Sequence, residues 1–327
     1  MIGEVQKFWK LFRLGGIKLA VLRAVEHIKR EIYSKIGISE YIQSRLLIGG
    51  PAMPLHALYV LLYRRLISPS TSDQIDVIEQ DWDNLILLDS YRADYFSEYS
   101  SFNGDLSTRT SKGTWSLEFI VSNFQDKTLH DTVVVTSNPY YQRYSKLGQD
   151  TFHSIKYCEK TIGIESFKQV SQLALEASEE FPNKRLIIHY MKPHTPHIGE
   201  TSDEYRAKFD DAFPGMFMLY RSGVITKDTL EQSYVDTINM VEPEVQDLLD
   251  KLDGKSVVSS DHGENLGERY HGLTQTGHGS PTPECYRVPW LEVEHETRRQ
   301  ISEDPPKKIS AVDEGSIENS LRALGYK

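Results

Sequence analysis

Four short apolar runs separated by helical patterns constrain the fold more than any other feature of this sequence. The runs occupy residues 84–88, 132–136, 186–190 and 256–260. Continuous apolar runs of this length are typical of strands that are covered on both faces. Apolar residues recur at helical spacing before the third and fourth runs, over 163–179 and 227–252. This alternation predicts an α/β fold with a mostly parallel central sheet and helices on both faces.

The composition limits the kinds of protein that this chain can be. With 327 residues, 39% of them hydrophobic, it can bury a sizeable core as one large α/β unit or about two domains. Two cysteines, Cys158 and Cys285, are too few for a disulfide framework or a Cys-rich zinc site, and they fit a reducing compartment. The net charge of −10 argues against general nucleic-acid binding.

The charge is distributed unevenly, with a basic N-terminal segment ahead of an acidic body. Residues 1–70 carry 11 Lys and Arg against four Asp and Glu, which leaves the remainder with a net charge of −17. Apolar residues such as Phe8, Trp9 and Phe12 recur between these bases at helical spacing. The pattern predicts a basic amphipathic helical extension over residues 1–74, followed by a second domain over residues 75–327.

Two interpretations of this extension stay open. Trp and Phe beside Lys and Arg suit a helix in a bilayer interface, which predicts peripheral membrane contact through residues 1–65. The same helices could instead pack on the body with a solvated basic face. The N-terminal residues show no signal peptide, and glycines and prolines interrupt the apolar window 46–63, which we interpret as two short segments. We therefore expect a cytoplasmic protein that is attached, if at all, to the inner membrane surface.

Polar clusters follow three of the four predicted strands, and two further clusters lie elsewhere in the body. They contain Asp89, Ser116, His194, Asp261 with His262, and His278. Because ligands bind beyond the carboxyl ends of parallel strands, residues that follow these strands are expected near one edge of the sheet. Asp and His are ligands of zinc and manganese, and a hydroxyl at a helix start suits an anion. Taken singly, each Asp could instead cap a helix, and each His could pack in the core.

The order of these clusters resembles that of the alkaline phosphatase superfamily, in its sulfatase and phosphoethanolamine-transferase branch. The matching segments are NLILLDSYRAD at 84–94, GTWSLE at 113–118, PHTP at 193–196, VVSSDHGENLGE at 257–268 and GHGSPTPECYRVPWL at 277–291. SDHGE followed by LGE is the most specific of these matches. The resemblance covers about residues 80–295 and implies that the domain over 75–327 is catalytic.

The resemblance also implies a role for the motif residues. Asp89, Asp261 and His262 would bind one divalent cation, and the nucleophile would complete that site. His194 and His278 would touch the transferred group or hold a second metal. One or two ions are therefore expected.

Ser116 and Thr114 are the two candidates for the nucleophile. Matching GTWSLE to the family pattern GTWTLPS places Ser116 at the reactive position, with Thr114 as the alternative. The chain lacks Cys-x-Pro-x-Arg, which excludes the aldehyde-type nucleophile of typical sulfatases, and Ser90 stands where those enzymes carry another Asp. The pairing of Asp261 with His262 favours zinc or manganese over calcium.

Several neighbouring residues have less certain roles in this interpretation. His197 either joins the site or packs at its rim, and His271 is an alternative to the late histidine of the motif. Lys112 could add positive charge near the transferred group. Glu264 is expected to orient a metal ligand, and His189 to be a core residue of its strand.

The function implied by the resemblance is a metal-dependent hydrolase of phosphate or sulfate esters that forms a covalent Ser or Thr intermediate. One alternative is a transferase that moves a phospho-headgroup or sulfate to a glycan or lipid. Another is a catalytically inactive binding module of the same fold. The expected partner is a phosphate or sulfate ester, either free or linked to a glycan or lipid.

Overall fold

The computed structural model describes residues 2–35, 69, 71–143, 150–158, 163–270 and 272–307. The chain divides into two compact units. The first consists of residues 1–68, 195–237 and 265–281, and the second of 69–194, 238–264 and 282–327. The basic N-terminal segment thus groups with two segments from the body. The predicted domain boundary after residue 74 stays a prediction.

The second unit is built on a seven-stranded sheet in the order β2-β9-β6-β1-β5-β3-β4. The strands are β1 Asn84–Leu88, β2 Asp105–Thr110, β3 Leu129–Thr136, β4 Phe152–Tyr157, β5 Arg185–Tyr190, β6 Ser256–Ser259 and β9 Arg287–Val293. Neighbouring strands from β6 to β4 are parallel, whereas β9 is antiparallel to both β6 and β2. The prediction of a mostly parallel α/β sheet is confirmed.

Burial explains why the sequence signal was strongest in the central strands. Every residue of β1 and β6 is buried, so both faces of these strands are covered, as their continuous apolar sequences predict. Leu87 of β1 pairs with Ser259 of β6 on one side and with His189 of β5 on the other. This register brings the carboxyl ends of three neighbouring strands to one edge.

Helices accompany the sheet in the second unit. Those that lie wholly within this unit are α2 Ala93–Tyr99, α3 Ser116–Phe124, α4 Tyr140–Arg143, α5 Ile164–Glu180 and α9 Pro283–Tyr286. Helix α5 packs on β3 and β5 and buries Phe167, Val170, Ala174 and Ala177, which recur at helical spacing. The helix predicted over 163–179 is therefore confirmed.

The first unit is mainly helical in its described residues. Its elements are α1 Ile2–Lys35, α6 Glu200–Phe209, α7 Met216–Ser222, the part of α8 Lys227–Leu249 up to Thr237, and a hairpin of β7 Asn265–Tyr270 and β8 Leu273–Gly277. Helix α1 packs on α7 and is kinked at Gly16, where φ is 77°. Among the described residues, no helix is both long and apolar enough to cross a bilayer. The predicted segments within 46–63 lie outside the described residues.

Candidate metal centre

Two neighbouring central strands deliver three potential metal ligands to one place in the second unit. Asp89 follows β1, and Asp261 and His262 follow β6. All three side chains are fully buried, and one ligand atom of each lies within 4.8 Å of the others. His262 Nε2 lies 3.5 Å from Asp89 Oδ1 and 3.5 Å from Asp261 Oδ2. The structure therefore brings together the three residues that the motifs predict to bind one cation.

Ser116 is the first residue of α3 and joins this group through a hydrogen bond. Its buried Oγ donates to Asp89 Oδ2 over 2.9 Å. The preceding loop folds closely over the helix start, because a Cβ at Gly113 would overlap the backbone nitrogen of Phe119. The serine hydroxyl is consequently held both beside the carboxylates and at a helix N-terminus, where the helix dipole favours negative charge.

Thr114, the alternative nucleophile, has a different local partner. Its Oγ1 donates to Glu118 Oε2 over 2.9 Å, and its backbone nitrogen donates to the same oxygen. These contacts tie the residue that precedes the cap position of α3 to the first turn of that helix. The Thr114 hydroxyl thus stabilises the helix start, whereas that of Ser116 contacts a potential metal ligand.

The two buried carboxyl groups differ in their electrostatics. Burial raises the pKa of Asp89 well above its usual range, and the nearby charge of Asp261 raises it further. Burial also acts to raise the pKa of Asp261, but the imidazoles of His262 and His189 outweigh it and hold that pKa below its usual range. Without a cation, the two neighbouring carboxyl groups therefore disfavour ionising together. A bound cation would favour both carboxylates.

One buried carboxylate oxygen indicates whether a cation fits among these three side chains. Asp261 Oδ1 accepts hydrogen bonds from the backbone nitrogens of Ser90 and His262, at 3.3 Å and 2.9 Å. Asp261 Oδ2 is buried and accepts no hydrogen bond within the described part of the chain. An unsatisfied carboxylate oxygen is costly to bury, and oxygen and imidazole ligands suit zinc or manganese. The site formed by Asp89, Asp261 and His262 therefore fits the predicted divalent cation.

His189 is the functional candidate that sequence reasoning missed. It is fully buried, as expected for a core residue of β5, but its Nε2 lies 3.4 Å from Asp261 Oδ2. Its Nδ1 shares a 3.2 Å hydrogen bond with the hydroxyl of Tyr141. Its place in the sequence could have indicated this role, because His189 is the penultimate residue of a strand that runs toward the same edge as β1 and β6.

The loop after β5 brings His194 close to the same region. The backbone nitrogen of His194 donates to the Asp89 carbonyl over 2.9 Å. The buried Lys192 Nζ donates to the carbonyl of His194 over 2.8 Å. A ring nitrogen of His194 lies within 4.8 Å of a carboxylate oxygen of Glu264. His194 is thereby tied to the end of β1, with Glu264 beside it.

The remaining candidates belong to the first unit or lie outside the described residues. His278 follows β8 in the first unit, and its predicted role stays a prediction. His197, in the same unit, shares a 2.7 Å hydrogen bond with Ser233 and packs against the rings of Phe217 and Tyr234. Its surroundings match the interpretation that it packs. His271 lies outside the described residues.

Lys112 does not have the role that its position suggested. Its Nζ forms a 2.6 Å ion pair with Asp76, which Lys127 also contacts. The ammonium group is thus engaged in a cluster that joins the start of the second unit to the loop before α3. We therefore assign Lys112 to stability and not to charge near a substrate.

No protein-family model matches the chain, and no curated protein sequence matches it. Several solved structures are similar to the chain. The C-terminal periplasmic domain of EcEptC from Escherichia coli, in complex with Zn, is 14% identical, with 68% of this chain and 75% of that chain covered and a TM-score of 0.43. The soluble domain of lipooligosaccharide phosphoethanolamine transferase A from Neisseria meningitidis is 16% identical, with 63% and 75% covered and a TM-score of 0.38.

A third similar structure is that of BT4656 in complex with its substrate D-glucosamine-2-N,6-O-disulfate. It is 14% identical, with 76% of this chain and 77% of that chain covered and a TM-score of 0.40. Phosphoethanolamine transferases are thus among the structures similar to the chain, as its motifs predict. The likeness is distant, so the chemistry of this chain has to follow from its own residues.

Proposed function

We propose that the chain is a metal-dependent enzyme that cleaves phosphate or sulfate esters through a covalent intermediate on Ser116. The observation that carries this proposal is the 2.9 Å hydrogen bond from Ser116 Oγ to Asp89, a member of the buried group with Asp261 and His262. A hydroxyl buried among potential metal ligands and at a helix start is arranged for reaction with an anion.

In this proposal Asp89, Asp261 and His262 hold a zinc or manganese ion, and Ser116 completes the site. The bound ion would acidify the serine hydroxyl and polarise an ester oxygen. The orphaned Oδ2 of Asp261 is the observation that supports a cation over a hydrogen-bonding network. The 3.4 Å contact with His189 would orient this carboxylate as a ligand.

Side chains of this protein would orient the nucleophile and transfer a proton in the reaction. Asp89 accepts the hydrogen bond of Ser116 and so fixes the direction of its hydroxyl. Ser116 Oγ would lose its proton to solvent and form a bond to phosphorus or sulfur as the bond to the ester oxygen breaks, and His194 would give a proton to that departing oxygen. Water would then attack the serine ester and release phosphate or sulfate.

A transferase is the second candidate, because an acceptor alcohol could replace water in the last step. The observation that favours it is the basic helical N-terminal segment, which would suit a lipid-linked or glycan-linked acceptor. An inactive binding module is less well supported, since anion binding alone does not require a serine hydroxyl beside buried carboxylates.

The decisive experiment combines elemental analysis of the purified chain with an aryl phosphate, a bis-aryl phosphate and an aryl sulfate as substrates. We expect bound zinc or manganese and turnover of at least one ester class. Product analysis with and without an added alcohol separates hydrolysis from transfer. A chain that binds no metal and turns over none of the three esters would support the binding-module alternative.

A further inference from the structure

Exposed large apolar side chains are concentrated on α1. Among the side chains described on α1, six are between 39% and 59% exposed: Val5, Trp9, Phe12, Ile17, Val21 and Ile28. In the rest of the described chain, such residues occur singly on separate elements, as Met240 and Leu273 do. Scattered exposed apolar residues are ordinary, but a concentration on one element marks an interaction surface.

The six side chains form one stripe on each half of the kinked helix. Val5, Trp9 and Phe12 follow the spacing of one helix face before Gly16, and Ile17, Val21 and Ile28 do so after it. We call these two rows the α1 stripes. Other residues of α1, namely Leu11, Leu19 and Ala20, are fully buried in the first unit. Each half of α1 therefore has one covered apolar face and one exposed apolar face.

Basic residues lie beside the α1 stripes. Residues 1–35 contain eight Lys and Arg against three Glu, in a chain whose net charge is −10. Lys10 pairs with Asp210 and Asp211, and so fixes α1 to the first unit. Arg13 and Lys18 are exposed and form no ion pair with any described residue. Their charges are consequently available to an external anionic partner.

We propose that the α1 stripes dock on the surface of an anionic phospholipid bilayer, with Arg13 and Lys18 at the level of the lipid phosphates. A helix that combines exposed Trp and Phe with Lys and Arg gains from both apolar insertion and attraction to anionic lipid. A second copy of the chain is a poorer occupant, because a symmetric contact through the stripes would bring the same positive charges together. Docking through α1 does not depend on the chemistry proposed for the metal centre.

The full chain offers an internal probe for this docking. Of its four tryptophans, Trp82, Trp115 and Trp290 are buried, whereas Trp9 is 54% exposed. Adding vesicles of phosphatidylcholine mixed with phosphatidylglycerol should shift the tryptophan emission to shorter wavelength. Vesicles of phosphatidylcholine alone should give a smaller shift, and added salt should reduce the response.

Co-sedimentation of the full chain with the same vesicles tests the residues. Trp9→Gln with Phe12→Gln should weaken binding by about tenfold or more. Arg13→Gln with Lys18→Gln should weaken binding to the anionic vesicles by about fivefold for each charge. The matched control is Met240→Gln, on α8, because Met240 is as exposed as Phe12, at 39%. It should bind like the wild type, and circular dichroism should show that every variant is folded.

Three outcomes would overturn the proposal. The first is that the wild type sediments with neither vesicle. The second is that the Trp9 and Phe12 variant binds as tightly as the wild type. The third is self-association of the wild type that the same variant abolishes in the absence of vesicle binding, which would assign the stripes to a second copy of the chain.

Discussion

His189 Nε2 lies 3.4 Å from Asp261 Oδ2, and both side chains are fully buried. Asp261 Oδ2 accepts no hydrogen bond within the described part of the chain, so this imidazole is the neighbour that constrains it on the side of β5. Groups that contact a metal ligand in this way orient that ligand and tune the affinity of the site for the metal.

Replacing His189 should therefore weaken metal binding without removing a proposed ligand. We expect His189→Gln to lower zinc affinity about 10- to 100-fold, as measured by titration against a competing chelator. Tyr141→Phe is the matched control, because it removes only the hydroxyl that contacts the other ring nitrogen, and it should have a smaller effect. Unchanged zinc affinity in His189→Gln would contradict the positioning role.

Ser116→Ala should remove the proposed nucleophile. We expect turnover of the responsive aryl ester to fall by about 10³-fold or more, with secondary structure retained. The comparison is Thr114→Val, which should lose about 1 kcal/mol of stability with its hydrogen bond to Glu118 and keep most of its turnover. The reverse pattern, with turnover lost only in Thr114→Val, would make Thr114 the nucleophile.

Metal removal should destabilise the chain. The proposed ligands are buried carboxylates and an imidazole, so an ion that binds only the folded state adds to its free energy of unfolding. At a free concentration 100 times the dissociation constant, that gain is about 2.7 kcal/mol. Thermal unfolding with and without zinc, after chelation, measures it. Asp261→Asn should show little zinc-dependent shift, and a shift equal to that of the wild type would contradict the assignment.

The cluster around Asp76 should contribute a pH-dependent part of the stability. Burial acts to raise the pKa of Asp76, but hydrogen bonds from Lys112 and Lys127 outweigh it and hold the pKa below the ordinary value of 3.8. Because the folded pKa is depressed, this contribution is present above pH 4 and is lost as the pH falls through the folded value.

Urea unfolding of the wild type and of Asp76→Asn checks the direction of this pH dependence. We expect the wild type to be more stable by about 1 kcal/mol at pH 7, and the difference to shrink as the pH falls below 3.8. Lys127→Met should reduce the same difference, since it removes one of the two ammonium partners. A difference that grows on acidification would show that the cluster is wrongly assigned.

The four central strands could be predicted from sequence because their burial on both faces produces continuous apolar runs. Strand β2, at the sheet edge, has the polar sequence DLSTRT and is largely exposed, so it carries no such signal. The hairpin of β7 and β8 is likewise rich in polar residues and gave no apolar run. Edge and surface strands are stabilised by pairing with a neighbour, which a single sequence window does not contain.

The residues of the candidate site could be predicted where they follow a strand with a clear apolar signal. Asp89, Asp261 and His262 follow strong strand signals, and parallel neighbours place such residues together. Spacing could not separate Ser116 from Thr114, because the hydroxyl that contacts Asp89 depends on the residue at which α3 begins. His189 was missed because its strand is apolar, and its neighbour Asp261 is supplied by another strand through a register that the sequence does not state.

The pairing of β1 with β6 also sets the order of events during synthesis of the protein. The hydrogen bond from Ser90 to Asp261 joins positions that are 171 residues apart, so β6 has to leave the ribosome before the ligand cluster exists. A nascent chain that ends before β6 holds Asp89 without its partners. Loading of the proposed ion therefore has to follow the emergence of β6 and of the residues directly after it from the ribosome.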